Sequence, residues 1–236
     1  HSINKFTKIF IPLVILIIPI FLVITQPDLG TSILIALSGI MVLWLAGINI
    51  KYFVFATITF IISAPFIISF LKPYQKLRIL SFFNPDRDPL GAGYQIIQSK
   101  IAIGSGGLFG KGFLNGSQSY LDYLPEKHTD FIFTLFSEEF GFFGSLFILL
   151  LYALIISRII KIGNLTRSNF GKLYCYSFAT AFFIYVVVNM MMVLGLLPIV
   201  GSPLPIMSYG GSSMMAIMFG LGIVMSCKIY KDTPVN

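Results

Sequence analysis

The sequence has 236 residues, of which 56% are hydrophobic and only 11% are charged, whereas soluble domains usually carry about a quarter charged residues. Its apolar residues come in long blocks, and a run of about 18 or more apolar residues is long enough to cross the hydrocarbon core as a helix. The formal charge of +7 is spread along the chain instead of forming one patch with aromatic residues, which argues against a nucleic-acid partner. The composition therefore predicts an all-α integral membrane protein.

Six apolar blocks predict transmembrane helices that form a single transmembrane domain over residues 1–236. In chain order, the predicted spans are 9–25, 31–47, 52–71, 131–157, 174–197 and 212–229. The chain begins His1-Ser2, with neither an initiator Met nor a signal peptide. We therefore expect either that it was cut from a longer protein or that its numbering starts mid-chain.

The basic residues predict the orientation of these spans. If the amino terminus lies in the cytoplasm, the short external segments 26–30 and 198–211 carry no Lys or Arg, as the positive-inside rule requires. The cytoplasmic segments then carry Lys5, Lys8, Lys51, Arg158, Lys161, Arg167, Lys172, Lys228 and Lys231. Both ends of the chain are then cytoplasmic, and residues 72–130 form a large external loop.

The external loop 72–130 is expected to be folded and functional. A structureless loop of this length is uncommon in a compact domain, and the apolar residues in this one give it enough surface to bury. We expect a short or re-entrant helix at 93–103, followed by a glycine-rich turn that lies back on the helical bundle.

Candidate acid/base residues are concentrated in and just after this loop, because seven of the nine acidic residues fall between 86 and 139. Asp122, Glu126 and Asp130 are four residues apart and would share one face of a continuous helix, although Pro125 is expected to break or start the helix between the first two. Asp130 lies where the loop re-enters the membrane, and partial desolvation there makes a carboxylate a stronger base. The alternative is that Thr129 and Asp130 cap a transmembrane helix, where an acid suits the helix dipole.

Two further titratable residues are candidates near this point. His128 either orients a neighbour or binds substrate, and the alternative is an interfacial histidine with no chemical role. Glu138 lies two turns into the following helix, and a charge at that depth is costly and hence a functional candidate. Alternatively, Glu138 or Glu139 faces a polar cavity under the loop and holds its lysines.

The glycine-rich part of the loop suggests an anion site. Lys100 and Lys111 lie beside glycines, and exposed backbone N–H groups with an ammonium suit a phosphate or diphosphate. The pattern fails as a Walker A motif, because Ser105 occupies the place of the first glycine and Gly112 follows Lys111. The alternative is a structural turn whose lysines reach the membrane surface.

The last external stretch carries two more candidates, Ser208 and Ser212, in the run SYGGSS. Their hydroxyl groups are expected to line a substrate pocket near the bilayer surface. The alternative is a re-entrant turn whose small residues permit close helix packing.

Five blocks in this sequence resemble the signature blocks of the SEDS family (RodA, FtsW and SpoVE). They are QPDLGTS at 26–32, DPLGAGYQIIQSKIAIGSGGLFGKG at 88–112, LPEKHTDFIF at 124–133, EEFG at 138–141 and GSPLPIMSYGGSS at 201–213. The blocks occur in the family's order over almost the whole chain, and the long second block points to the RodA elongation branch.

The resemblance implies a peptidoglycan glycosyltransferase of the bacterial cytoplasmic (inner) membrane that polymerises lipid II during cell elongation and rod-shape maintenance. Family members have ten spans, so the six spans here correspond to the last six, and the four missing spans would leave the substrate groove incomplete. The resemblance further implies a class B penicillin-binding protein as transpeptidase partner, other elongation-complex membrane proteins and surrounding membrane lipids. A lipid II flippase or transporter, and a scaffold, are the alternative functions.

The resemblance also implies roles for individual residues. Asp130 matches the family's essential loop aspartate, and Asp122 falls where relatives often have an acidic residue. We expect Asp130 to take the proton of the acceptor's 4-hydroxyl group. Lys100, Lys111, and either Arg87 or a divalent cation (Mg or Mn) would stabilise the diphosphate leaving group.

Overall fold

The computed structural model describes residues 6–26, 28–70, 72–84, 91–117 and 128–231, and within these ranges the chain is helical without any strand. The helices are α1 (Phe6–Thr25), α2 (Leu29–Leu45), α3 (Ile50–Phe70), α4 (Pro73–Phe83), α5 (Ala92–Gly106), α6 (Ile132–Leu165), α7 (Asn169–Val193) and α8 (Gly211–Ile229). The all-α prediction is confirmed for this part of the chain.

The six predicted spans coincide with α1, α2, α3, α6, α7 and α8. Long apolar segments become helices in a bilayer because a helix satisfies its backbone N–H and C=O groups internally. By length and composition α6, α7 and α8 can each cross a membrane, while the apolar parts of the other three are shorter (Phe10–Thr25, Leu29–Leu45 and Ile50–Ser63). The chain is therefore a multi-pass membrane protein.

In its described residues, 72–84, 91–117 and 128–130, the predicted loop includes the helices α4 and α5. The helix expected at 93–103 is confirmed as α5, whereas α4 was not predicted. Pro73 occupies the first turn of α4, where its missing N–H costs nothing. The backbone N–H of Lys72 donates to Oε1 of Gln75 at 2.9 Å, which secures that end of the helix.

Helix α5 is part of the protein core, although it belongs to the predicted loop. Its buried residues recur every three or four positions and so form one face: Gly93, Ile96, Ser99, Ala102 and Gly106. The buried hydroxyl group of Ser99 lies 2.8 Å from that of Thr134 on α6 and donates to the carbonyl oxygen of Val193 on α7 at 2.7 Å. Together α5, α6 and α7 bury an apolar cluster that includes Ile96, Phe131, Phe133, Tyr152, Phe182, Val186, Met192, Val193 and Leu204.

The three segments predicted to be external meet at one end of the molecule. Gly30 at the start of α2 packs so closely on the Val200 carbonyl that a Cβ would overlap it. The guanidinium group of Arg78 on α4 lies 3.5 Å from the carbonyl oxygen of Ile199. The backbone N–H of Tyr209 donates to the carbonyl oxygen of His128 at 2.9 Å. This convergence is what the predicted orientation requires, and the side of the membrane on which it lies stays a prediction.

Candidate active site

Asp130 is half-buried and lies two residues before α6. Its Oδ2 atom is 3.5 Å from the position that a Cβ would occupy on Gly201, so the carboxylate faces the segment 194–210 that joins α7 to α8. Phe131, and not Asp130, occupies the N-cap position of α6. The carboxylate therefore lies where the start of α6 meets the segment that joins α7 to α8.

Asn189 on α7 fixes this arrangement from inside the core. Its side chain is fully buried, and Nδ2 donates to the backbone carbonyl oxygen of Asp130 at 2.8 Å and to that of Ser202 at 2.7 Å. Asn189 is not among the site residues predicted from the sequence. The available signal was a single amide in the otherwise apolar run VVVNMMMV, because polar groups inside a span normally have a partner and a reason to be there.

Ser208 and His128 connect the same two segments. The Ser208 hydroxyl group is buried, donates to the Thr129 carbonyl oxygen at 2.6 Å and accepts the backbone N–H of Leu204 at 2.6 Å. The hydroxyl group thus bridges the two segments and already has a donor and an acceptor within the protein. The side chain of His128 is exposed.

A large cavity opens beside these residues. Its volume is about 620 Å³, and its walls are formed by His128, Ile132, Ile206, Met207, Ser208, Tyr209, Gly210, Gly211 and Met214. A smaller cavity of about 240 Å³ lies between α7 and α8, with a mostly apolar lining that includes Phe178, Phe182, Tyr185, Pro203, Leu204 and Pro205. The segment 203–214 contributes residues to both cavities. Ser212 is exposed at the second position of α8.

Glu138 is fully buried on α6 and forms an ion pair with Lys111. The Lys111 ammonium lies 2.7 Å from Glu138 Oε1 and donates to the Ser117 hydroxyl group at 2.8 Å. Ser117 in turn donates to the same carboxylate oxygen at 3.1 Å. Glu138 thus holds a lysine of the loop, which is the alternative considered for this acid, and its role in substrate binding stays a prediction. The Lys111 ammonium therefore neutralises the buried negative charge of Glu138.

The glycine-rich turn after α5 inserts into a break in α6. Gly141 has φ 66° and ψ −161°, which interrupts the helix. The carbonyl groups of Glu138 and Glu139 accept the N–H groups of Lys111 and Gly112, both at 3.0 Å. In return, the N–H groups of 142 and 143 donate to the carbonyl groups of 107 and 108, at 2.9 and 3.2 Å. We call this reciprocal pairing the glycine clasp.

The glycine clasp corrects the prediction of a backbone anion cradle. The N–H groups of Gly110, Lys111 and Gly112 all donate to carbonyl groups of the protein, so they do not face a ligand. A Cβ on Gly106, Gly110 or Gly141 would overlap backbone atoms of the opposite segment. Glycine is needed here because two backbones approach closely. The turn is therefore structural, which is the alternative considered for it above.

Lys100 has different surroundings from Lys111. It is exposed on α5, directly after the buried Ser99. Its side chain lies over Gly195, where a Cβ would overlap the lysine Cε atom. Lys100 and Asp130 thus both lie against the connection from α7 to α8. Three predicted site residues, Arg87, Asp122 and Glu126, lie outside the described residues.

A divalent cation at the diphosphate leaving group stays a prediction. Within ranges 6–26, 28–70, 72–84, 91–117 and 128–231, no three His, Cys, Asp or Glu side chains come together in a way that could hold a metal ion. Mg²⁺ is usually held by one or two carboxylates together with substrate phosphates and waters, so a cation that arrives with the diphosphate would not need three protein ligands.

Comparison with known proteins identifies the family. Residues 2–233 match the FtsW/RodA/SpoVE family of cell cycle proteins. The peptidoglycan glycosyltransferase MrdB of Escherichia coli (strain K12) is 49% identical over 222 residues, which cover 94% of this chain and 60% of MrdB. The chain spans about 60% of the length of the curated relatives it matches.

Solved structures agree in fold. A chain from a study of the structural coordination of polymerization and crosslinking by a peptidoglycan synthase complex superposes with a TM-score of 0.80 at 32% identity, covering 99% of this chain and 65% of that one. The rod shape determining protein RodA of Thermus thermophilus shares the fold, with a TM-score of 0.64 at 24% identity over 98% of this chain and 60% of RodA. The resemblance read from the five sequence blocks is confirmed, and the chain belongs to the FtsW/RodA/SpoVE family of cell cycle proteins.

Proposed function

We propose that the protein is a peptidoglycan glycosyltransferase that polymerises lipid II into glycan strands during cell elongation and rod-shape maintenance. The observation that carries the proposal is the half-buried Asp130 carboxylate, which faces Gly201 and lies in the chain between His128 and Ile132, two residues in the wall of a cavity of about 620 Å³. The 49% identity to MrdB, a peptidoglycan glycosyltransferase, supports the same activity for this protein.

The proposed reaction joins the 4-hydroxyl group of an acceptor sugar to C1 of a donor sugar. The new C1–O4 bond forms while the bond from C1 to the polyprenyl diphosphate oxygen breaks, and the hydroxyl proton goes to the Asp130 carboxylate. Attack from the face opposite the leaving group inverts the configuration at C1. A diphosphate leaves readily, so the site needs a general base and nearby positive charge but no strong general acid.

Lys100 is the stronger described candidate for stabilising the diphosphate. It is exposed and lies against the same connection as Asp130. Lys111 is engaged by the buried Glu138 carboxylate, which reduces the positive charge that it offers to a ligand. Arg87, Asp122 and Glu126 stay proposals as substrate-binding residues of the same loop, as does Ser212 at the start of α8.

The apolar cavity of about 240 Å³ between α7 and α8 suits the polyprenyl chain of the substrate. Residues 203–214 line both this cavity and the larger one beside His128. A lipid-linked sugar has a polar head and a long apolar tail. The larger cavity, whose wall includes His128, Ser208 and Tyr209, would take the head, and the smaller, mostly apolar cavity would take the tail.

The cellular setting follows from the same proposal. We place the protein in the bacterial cytoplasmic (inner) membrane, with the loop 72–130 external, where lipid II would be polymerised. A class B penicillin-binding protein is the proposed transpeptidase partner, together with other elongation-complex membrane proteins. The similarity to a chain of a peptidoglycan synthase complex supports a partnered enzyme.

The test is glycan-strand synthesis from lipid II by the full-length protein with its partner. Asp130→Asn removes the base while keeping the side-chain shape, and should lower the polymerisation rate by about 10²- to 10⁴-fold. Asp28→Asn is the matched control, because Asp28 caps α2 through Thr31 at 3.0 Å and Asn caps a helix equally well.

Each result has a definite meaning. Full activity of Asp130→Asn with normal folding would overturn Asp130 as the base. A wild-type protein that moves lipid II across a bilayer but makes no polymer would favour the flippase alternative over the transferase.

A further inference from the structure

Four cationic side chains converge at the end of the helices opposite Asp130. A cavity of about 130 Å³ there is lined by Arg158, Lys161, Ile162, Leu165, Lys228 and Lys231. Asp130 precedes the first residue of α6, whereas these residues lie in its last two turns and at the end of α8. We call this cavity the basic pocket.

The basic pocket continues into an apolar groove between α6 and α8. The groove has a volume of about 640 Å³ and shares Arg158, Lys161 and Ile162 with the pocket. Its remaining walls are Leu154, Ile155, Ser157, Ile159, Leu221, Val224 and Met225. The basic pocket and the apolar groove therefore form one continuous depression, which is cationic at one end and apolar along the rest.

Both helices change from apolar to cationic residues toward their carboxyl ends. On α6, Leu154 is followed seven residues later by Lys161, and on α8, Leu221 is followed seven residues later by Lys228. Seven helical residues span about 10 Å. Each helix thus changes from apolar to cationic on the face that lines the depression. Because α6 and α8 can cross a membrane, this change marks the boundary between acyl chains and headgroups.

The pocket carries an excess of positive charge. Among the described residues, none of its four cations forms an ion pair with a carboxylate. The next acidic residue in sequence is Asp232, directly after Lys231 and outside the described residues. Even with that carboxylate counted against the four cations, the balance is +3 (four minus one).

We propose that the basic pocket and the apolar groove bind one anionic phospholipid. Its phosphate lies among Arg158, Lys161, Lys228 and Lys231, and an acyl chain lies along the groove. Basic pockets between membrane helices bind anionic headgroups, and guanidinium and ammonium donors form strong hydrogen bonds to phosphate oxygens. A net charge of +3 favours a headgroup that is itself negative over a zwitterionic one. This site is separate from Asp130 and does not depend on the proposed function.

The proposal is tested by measuring lipid binding to the full-length protein by native mass spectrometry, with phosphatidylglycerol and phosphatidylcholine titrated separately. The wild type should bind phosphatidylglycerol more tightly than phosphatidylcholine. In K161Q/K228Q the affinity for phosphatidylglycerol should fall by about fivefold for each charge removed, while the affinity for phosphatidylcholine stays nearly constant.

Two control variants separate the site from general effects. K161R/K228R keeps both charges and should bind phosphatidylglycerol like the wild type. That result would attribute the weaker binding of K161Q/K228Q to the loss of charge and not to a folding defect. K172Q removes a cation at the start of α7, outside the pocket, and should leave binding unchanged.

Three outcomes would overturn the proposal. They are equal affinities of wild type and K161Q/K228Q for phosphatidylglycerol, an equal loss in K172Q, or displacement of phosphatidylglycerol by inorganic phosphate at a similar concentration. The last would mean that the groove contributes nothing and that the pocket recognises a soluble anion.

Discussion

The side-chain amide of Asn189 donates a hydrogen bond of 2.8 Å to the backbone carbonyl oxygen of Asp130. The same nitrogen donates a bond of 2.7 Å to the carbonyl oxygen of Ser202. One fully buried group on α7 therefore fixes both the start of α6 and the connection that faces the Asp130 carboxylate. The position of the proposed base thus depends on a residue that carries no charge and that hydrogen-bonds to its backbone carbonyl oxygen.

Replacing Asn189 with Ala should reduce both stability and polymerisation. The substitution removes this donor from the buried Ser202 carbonyl oxygen and the partly buried Asp130 carbonyl oxygen, which we expect to cost about 2 kcal/mol in the free energy of unfolding. The start of α6 is then held less firmly, and the polymerisation rate should fall. Thermal unfolding in detergent and glycan-strand synthesis measure the two effects.

The control for this change is Asn164→Ala. Asn164 is an exposed amide near the other end of α6, where it accepts a hydrogen bond from Tyr176. Its loss should change stability little and leave polymerisation intact. Equal behaviour of the two variants would contradict a special role for Asn189.

Lys111 and Glu138 should behave as a coupled pair. Lys111→Met leaves the Glu138 carboxylate buried without its ammonium partner, which we expect to cost about 2–3 kcal/mol. The estimate is below the value for a fully buried pair because the Lys111 side chain is 30% exposed. The double variant Lys111→Met/Glu138→Gln removes both charges and should recover most of the lost stability. Thermal unfolding of the two single variants and the double variant gives the coupling energy.

The same double variant distinguishes the two roles considered for Lys111. If the ammonium only neutralises Glu138, polymerisation should recover together with stability. A stable double variant that makes no polymer would instead show that Lys111 contacts the substrate.

The glycine clasp should not tolerate a side chain. Gly110→Ala and Gly141→Ala each place a Cβ against the backbone of the facing segment, at φ values of +80° and +66°. We expect each to cost about 2 kcal/mol or more, from overpacking and backbone strain together. Gly104→Ala is the matched control, because Gly104 is helical and nothing lies within 4 Å of its Cβ position. That variant should be more stable by about 0.5–1 kcal/mol.

Thermal unfolding of these three variants tests whether Gly110→Ala and Gly141→Ala lower the stability while Gly104→Ala raises it. Stabilisation or neutrality in Gly110→Ala would mean that the two segments separate at little cost. The glycine-rich turn would then be a free loop, and its amide groups would be available to a ligand after all.

The helices were largely predictable because hydropathy reports directly on membrane spans. Continuous apolar blocks predicted α1, α2, α3, α6, α7 and α8. Most ends were within about four residues, but α6 ends eight residues later than predicted and α7 begins five residues earlier. Caps and turns decide where the helices end. For example, α7 ends at Val193 because Gly195 has φ +67°. The helix α4 was missed because its sequence shows no long apolar run, and its start depends on Pro73 and Gln75.

The site was only partly predictable, because its tertiary contacts join distant segments. The sequence indicated Asp130 through its place at a membrane boundary, and indicated a buried acid paired with a lysine. It gave no sign that the N–H groups at 110–112 pair with carbonyl groups in α6, since a glycine-rich turn suits an anion and a close backbone equally well. Asn189 was overlooked because an amide carries no charge.

Substitution of Ser208 and of Ser212 should have different effects on stability, because the Ser208 hydroxyl group is buried and bonded while the Ser212 side chain is exposed. Ser208→Ala removes the acceptor of the Leu204 N–H and the donor to the Thr129 carbonyl group, at a cost of about 1–3 kcal/mol in unfolding free energy. Ser212→Ala alters an exposed side chain and should stay within about 0.5 kcal/mol of the wild type. Any loss of polymerisation in Ser212→Ala is then attributable to a lost contact with the substrate. A raised KM for lipid II would identify such a contact. Equal destabilisation of both variants would contradict the bridging role of Ser208.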